Sequence, residues 1–272
     1  MCDFKQNYYL CVKLTSKTKQ KDAIVCFRFT IIILYMANKT KQYCYEYWRP
    51  SVATDCVIFG FDGKKLKVLL IERNLEPFKG CWALPGGFLR ETDKTAEQCA
   101  LRELKEETNL SVSEDRLWQL GVFSEVDRDP RNRVISLAYY ALVEPSDVVG
   151  GDDAAKAQWF DIDEVPQLAF DHAQILAKAR EAIKRQIHFD PIGYDLLGKE
   201  FTLTQVQTLY EAIQGVVYDR RNFARKLQSS GIVTPLGKKV EGTAHKAPQL
   251  FECNKEVFKE KAQSLKFELK KF

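Results

Sequence analysis

The sequence predicts an α+β protein in two parts: a mixed sheet packed by helices, then a basic winged helix-turn-helix. Three observations carry this. A β-rich run at 51–61 (SVATDCVIFGF) returns at 65–73 (KLKVLLIER) across Asp62-Gly63, a strong hairpin turn. A glycine pair, Gly86-Gly87, precedes a helical pattern with carboxylates at 103, 106 and 107. From Phe201 the pattern changes to helix, turn, basic helix and basic hairpin, the order of a winged helix-turn-helix.

Composition bounds the class. At 272 residues, with 45% hydrophobic and 29% charged residues, the chain suits one medium globular domain plus a small one. A net charge of +4 is modest, so any nucleic-acid surface must be a local concentration of charge. Eight scattered cysteines form no CxxC pair, which points to reduced thiols in a cytoplasmic protein. Three histidines argue against a histidine-rich metal site. Lys13, Lys17, Lys19 and Lys21 precede an apolar run at 23–36 that contains Arg28. That run is short of the ~20 residues a span needs, and its charge is costly, so no membrane anchor is expected. Residues 1–47 are read as an extension, either disordered or lying outside a native start at Met36.

Pro85-Gly86-Gly87 is expected to end a short strand and turn sharply. A helix then fits 94–108, with Ala96, Cys99, Ala100, Leu101 and Leu104 on its buried side. Glu103, Glu106 and Glu107 stand at i, i+3 and i+4, so they share one face and repel each other. A hard divalent cation such as Mg²⁺ (or Mn²⁺) suits such a face, with Arg102 neutralising part of it or holding one carboxylate. The plainer alternative is a solvated acidic patch.

Two more strands fit 117–126 and 134–143, joined by a loop carrying Arg128, Arg131 and Arg133. With Arg73, these guanidinium groups suit phosphate, because each can donate two hydrogen bonds at once. Surface ion pairs are the alternative for each. A last strand near AQWFDIDEVP closes a first domain at 48–168. A linker helix is expected within 169–190, capped by Asp171 and striped by Ile175, Leu176, Ala179, Ala182 and Ile183.

The second domain spans 191–260, with a charged tail at 261–272. Thr202 and Gln205 form a capping-box signature; Leu203, Val206, Leu209, Tyr210 and Ile213 make an apolar stripe, and Gly215 closes the helix. Asp219 caps the next helix, RRNFARKLQSS, which Gly231 ends. Short strands at 232–234 and 249–251 flank a loop with Lys238, Lys239, His245 and Lys246. Between 219 and 246, seven Lys/Arg face two acids, against near balance in the whole chain. Such segregation suits DNA phosphates. Arg220, Arg221 and Asn222 open the helix where base edges are met, while Arg225, Lys226, Lys238, Lys239 and Lys246 suit phosphate contacts.

The LPGG loop followed by Arg102-Glu103-Leu104-Lys105-Glu106-Glu107 resembles the Nudix box. The resemblance implies an α/β/α sandwich in which Gly87, Glu103, Glu106 and Glu107 hold divalent metal. In that family such metals help split a nucleoside diphosphate linked to another group. The pattern departs from the family at three points. Gly87 lies one residue further from Arg102 than usual, the usual loop glutamate is replaced around Asp93-Lys94, and the usual glycine at the helix end is Asn109. From about Trp48 to Cys253 the chain also resembles Nudix-related transcriptional regulators, a group with repressors of NAD metabolism and pentose-responsive regulators. This implies a homodimer that binds operator DNA and senses ADP-ribose, a related nucleotide or a sugar. Because Arg102, Glu103, Glu106 and Glu107 remain, a Mg²⁺-dependent hydrolase of ADP-ribose is the alternative, with those four as catalytic residues. A cluster glutamate, Glu125, Asp127 or Asp129 would then take the proton. A third reading is an interaction protein that uses neither surface.

Overall fold

Strand β1 (Ser51–Phe61) is the centre of the sheet, because both of its faces are apolar. Cys56 and Ile58 point into one core; Val57, Phe59 and Phe61 point into the other. This alternation sets a helix on each side. In the computed structural model, which describes residues 46–151, 154–240 and 247–261, the chain from Pro50 onward is one compact unit. The expected extension with Met36, His245 and Lys246 of the basic loop, and the tail beyond Lys261 lie outside the described residues.

β1 pairs antiparallel with β2 (Leu66–Arg73) and parallel with β6 (Val134–Val143) over ten residue pairs, from Ser51↔Val134 to Gly60↔Val143. The main path runs β3-β2-β1-β6-β5, with β3 at Trp82–Ala83 and β5 at Trp118–Phe123. β4 (Gly86–Phe88) pairs with β1, and β7 (Ala154–Asp161) pairs with β2. The glycine pair therefore does not turn as expected. It forms strand β4, antiparallel to β1 with Asp55↔Gly86 and Thr54↔Gly87. A Cβ on Gly86 would stand 2.1 Å from the Thr54 carbonyl oxygen, so the missing side chain serves close approach.

Helix α1 (Ala96–Thr108) covers one face through Ala100 and Leu104, which meet Cys56, Ile58, Leu69 and Tyr139. Thr95 caps it by accepting from the Gln98 N–H, and Asn109 ends it in the left-handed conformation, φ 60°. Helix α2 (His172–Gln186) covers the other face. Its Ile175, Ala179 and Ile183 are fully buried against Val57, Phe59, Leu70 and Tyr140. The expected linker thus completes the first domain, since without it that face of the sheet would be bare. Asp171 precedes α2 but makes no side-chain cap, because its carboxylate is taken by Arg128.

After the short α3 (Ile192–Leu196), α4 (Leu203–Gln214) begins with the expected capping box of Thr202 and Gln205 and ends at Gly215, φ 70°. Asp219 accepts from the Asn222 N–H to start α5 (Arg220–Ser229). Strands β8 (Val233–Lys239) and β9 (Gln249–Cys253) form the hairpin, longer than the sequence pattern indicated. Phe201 exchanges backbone hydrogen bonds with Phe251, at 3.0 and 2.8 Å, tying the hairpin to the chain before α4. The result is a winged helix-turn-helix around Tyr194, Phe201, Val206, Val233 and Phe251. Its α4 also sends Leu209 and Ile213 into the core shared by α2 and the large sheet. Among the described residues, no helix is long and apolar enough to cross a membrane, and Cys56, Cys81, Cys99 and Cys253 are free thiols.

Candidate functional site

Pairing of β4 with β1 carries Gly86 and Gly87 to the start of the carboxylate face of α1. A Cβ on Gly87 would stand 2.5 Å from Cδ of Glu103, so glycine lets the strand lie directly on that side chain. Glu107 accepts from the Gly86 N–H at 2.8 Å. The helix and glycine strand are thus bolted together by two of the three predicted carboxylates.

Two arginines neutralise the face. Arg102 donates through Nη1 to Glu103 at 2.6 Å and to Glu106 at 3.1 Å. Its Nε and Nη2 grip Asp93 at 2.9 and 2.7 Å. Asp93 therefore serves Arg102 from the loop where the usual glutamate is replaced, and this pairing holds its carboxyl well below the usual range. Arg90 donates Nη1 and Nη2 to the two oxygens of Glu106, at 3.0 and 2.9 Å. Burial pushes the Glu103 carboxyl up, against the opposing pull of Arg102.

The donor set is oxygen-rich, which is right for Mg²⁺. As arranged, however, it does not fit a divalent cation: Glu103 and Glu106 face guanidinium groups and Glu107 faces a backbone N–H. Among the described residues, no group of three or more His, Cys, Asp or Glu side chains is disposed to hold a metal ion.

Next to this face opens a cavity of about 560 Å³, lined by Arg73, Gly86, Gly87, Arg90, Glu103, Glu106, Glu107 and Arg131. Arg73 and Arg131 both lie against the Phe170 ring, at 4.8 and 5.5 Å from its centroid, and Arg131 also covers Phe88 at 5.1 Å. Arg73 donates to the carbonyls of Pro77 and Leu75, and Arg131 pairs with Asp129. A second cavity of about 570 Å³ is lined by Phe78, Glu125, Asp127, Arg128, Phe170 and Asp171.

The other two predicted ligand arginines are placed differently. Arg128 is buried, in contact with Asp55 at 3.1 Å and Asp171 at 2.7 Å. Arg133 is not among the residues lining either cavity; its backbone carbonyl accepts from Ser51. Around Asp55 lie Ser136 Oγ at 2.6 Å and His172 Nε2 at 3.3 Å. Burial alone would raise Asp55, but His172, Arg128 and Ser136 outweigh it and bring its pKa to about 2. Sequence reasoning did not single out Asp55, Arg90, Phe170 or His172. Asp55, Phe170 and His172 belong to no local pattern and reach the site by chain crossing, whereas Arg90 lies in the loop between Gly87 and α1, where its charge was the available signal.

In the second domain, Arg220, Arg221, Asn222, Arg225 and Lys226 are all exposed on α5. Arg225 donates to the Asn222 side chain at 2.8 Å. Lys238 and Lys239 stand at the end of β8 rather than in a loop, and Lys238 pairs with Glu200 at 2.9 Å.

Residues 49–179 match the NUDIX domain family, and residues 193–253 match the NrtR DNA-binding winged helix domain family. The chain is 47% identical over 130 residues to an ADP-ribose pyrophosphatase of Methanocaldococcus jannaschii, covering 48% of this chain and 73% of that one. The chain belongs to the Nudix family. Its Nudix domain and winged helix stand in the order of the NrtR type. It is 31% identical over 192 residues to the ADPR responsive transcriptional repressor NtrR of Acinetobacter baylyi, covering 69% of this chain and 76% of that one. The Nudix and winged-helix parts together also match the crystal structure of Shewanella oneidensis NrtR. The TM-score is 0.61 at 28% identity, over 76% of this chain and 95% of that one. The same protein complexed with a 27mer DNA matches with a TM-score of 0.59 at 26% identity, over the same shares.

Proposed function

We propose that this chain is a transcriptional regulator whose Nudix domain binds ADP-ribose or a related nucleotide and whose winged helix binds operator DNA as a homodimer. The observation that carries this is the exposed basic face of α5 and β8 on a domain that shares its core with the ligand-binding half. Likeness to a repressor named as ADPR responsive, along both domains, supports it. Arg73 and Arg131 would supply phosphate forks and Phe88 an aromatic wall in one cavity, with the Phe170 ring packed against both arginines. Arg220, Arg221 and Asn222 would read base edges, with Arg225, Lys226, Lys238, Lys239 and Lys246 on phosphates. The test is a gel shift of the purified protein on its own promoter region at several ADP-ribose concentrations. Specific retardation that ADP-ribose changes is expected; no salt-dependent DNA affinity would overturn the reading.

A second reading is favoured by the 47% identity to an ADP-ribose pyrophosphatase across the Nudix half. In it, Gly87, Glu103, Glu106 and Glu107 would hold Mg²⁺ or Mn²⁺ once Arg90 is released from Glu106, and the bound ion would supply Lewis-acid chemistry. Turnover of ADP-ribose that disappears in Glu106→Gln/Glu107→Gln is the outcome that reading requires.

A further inference from the structure

The two readings divide at one side chain, Arg90, and the geometry there goes beyond both. We propose that the Arg90 guanidinium is a built-in cation of the carboxylate face, so that this site takes its phosphate ligand without a divalent metal. Glu106 is the member of the triplet most open to the cavity, with its side chain 27% exposed against 11% for Glu103. Arg90 meets it with both terminal nitrogens, at 3.0 and 2.9 Å, the parallel fork that matches carboxylate geometry. The same Nη2 stands 3.8 Å from Glu103. One guanidinium thus spans the two oxygens of Glu106 and faces Glu103, the place a metal shared by those carboxylates would need.

Its position is built, not incidental to a long side chain. The Arg90 N–H donates to Asp93 Oδ2 at 2.8 Å, and Asp93 is itself gripped by Arg102. A single carboxylate therefore anchors the backbone of Arg90 and the guanidinium of Arg102. Glu107 is engaged separately by the Gly86 N–H. A divalent ion entering here must displace the Arg90 fork and then sit beside Arg102. The first step costs the charge-assisted hydrogen bonds of the fork, and like charge opposes the second. Arg90 also lines the cavity with Arg73 and Arg131, so three guanidinium groups face the space a diphosphate would fill.

The first experiment titrates Mn²⁺ into the full-length protein, following the free-ion signal by electron paramagnetic resonance. It compares wild type, Arg90→Ala, Arg90→Lys and Arg90→Ala/Glu106→Gln. Wild type and Arg90→Lys, which keeps a positive charge, should bind weakly. Arg90→Ala should bind about tenfold tighter or more, since two charge-assisted hydrogen bonds no longer compete, and Glu106→Gln should remove the gain. Equal affinity in wild type and Arg90→Ala would overturn the proposal. Arg90 is half exposed, and thermal melts confirm that each variant is folded. The second arm rests on the ADP-ribose reading. Wild-type ADP-ribose affinity, measured by calorimetry, should be the same with EDTA as with Mg²⁺; a loss of affinity in EDTA would overturn metal independence. Absence of ADP-ribose binding in both conditions would strike the proposed function alone, because the Mn²⁺ titration needs no nucleotide.

Discussion

Arg128 grips Asp171 with two nitrogens, Nε at 2.9 Å and Nη2 at 2.7 Å, and the same Nη2 reaches Asp55 at 3.1 Å. The loop after β5 is thereby fastened to the first residue before α2 and to the central strand. Since α2 packs on α4 of the winged helix, this clamp stands at the head of the element common to both halves. Arg128, expected to meet ligand, lines the second cavity and at the same time pins the fold.

Arg128→Ala should therefore destabilise the fold, by about 3–5 kcal/mol, because it leaves the buried Asp171 carboxylate without its guanidinium and Asp55 with only His172 and Ser136. Arg131→Ala, which takes a half-exposed guanidinium from the buried Asp129 carboxylate, should cost less, about 1–3 kcal/mol, because the backbone N–H of residue 131 still donates to Asp129. Urea denaturation of both variants checks the contrast; equal midpoints would refute the pin.

Asp55 gives a pH dependence with a defined sign. Its folded pKa lies near 2, below the ordinary 3.8, so the folded state favours the carboxylate. This contributes about 2 kcal/mol of stability, present above pH 4 and lost as pH falls through 2. Asp55→Asn should flatten the acid limb of the stability curve between pH 4 and 2. An unchanged limb would mean that other carboxylates set it.

Ligand affinity should follow the cavity rather than the arginine count of the loop. Arg131→Ala should weaken ADP-ribose binding about tenfold or more, through loss of a charge-assisted fork. Arg73→Ala should do the same, with some loss of order in the 75–77 segment that it holds. Arg133→Ala should leave affinity unchanged. Isothermal calorimetry distinguishes the three, and an Arg133 effect as large as that of Arg131 would count against the assigned cavity.

Operator recognition should separate base contacts from phosphate contacts. Arg221→Ala is expected to cost about 1–3 kcal/mol on operator and much less on scrambled DNA. Lys239→Ala should weaken both alike and lower the salt slope. Fluorescence anisotropy on both duplexes at several salt concentrations provides the measurement; a uniform Arg221 effect would remove that residue from base reading.

Local pattern was enough for whatever depends on near neighbours in the chain. The β-rich run of β1, the i, i+3, i+4 carboxylates of α1, the Thr202–Gln205 capping box and the exposed basic run of α5 are all short-range patterns, and each stands in the structure where the sequence put it. Tertiary structure decided what depends on charges and faces meeting across long separations. Gly86-Gly87 reads as a turn until β1 is there to pair with it. Residues 169–190 read as a linker until the second face of the sheet needs covering. Arg128 and Arg131 are indistinguishable in one loop, yet one is buried against Asp55 and Asp171, 73 and 43 positions away, and the other is half exposed beside the carboxylate face. An arginine's role depends on which carboxylates the fold brings within reach, and no window of sequence contains them.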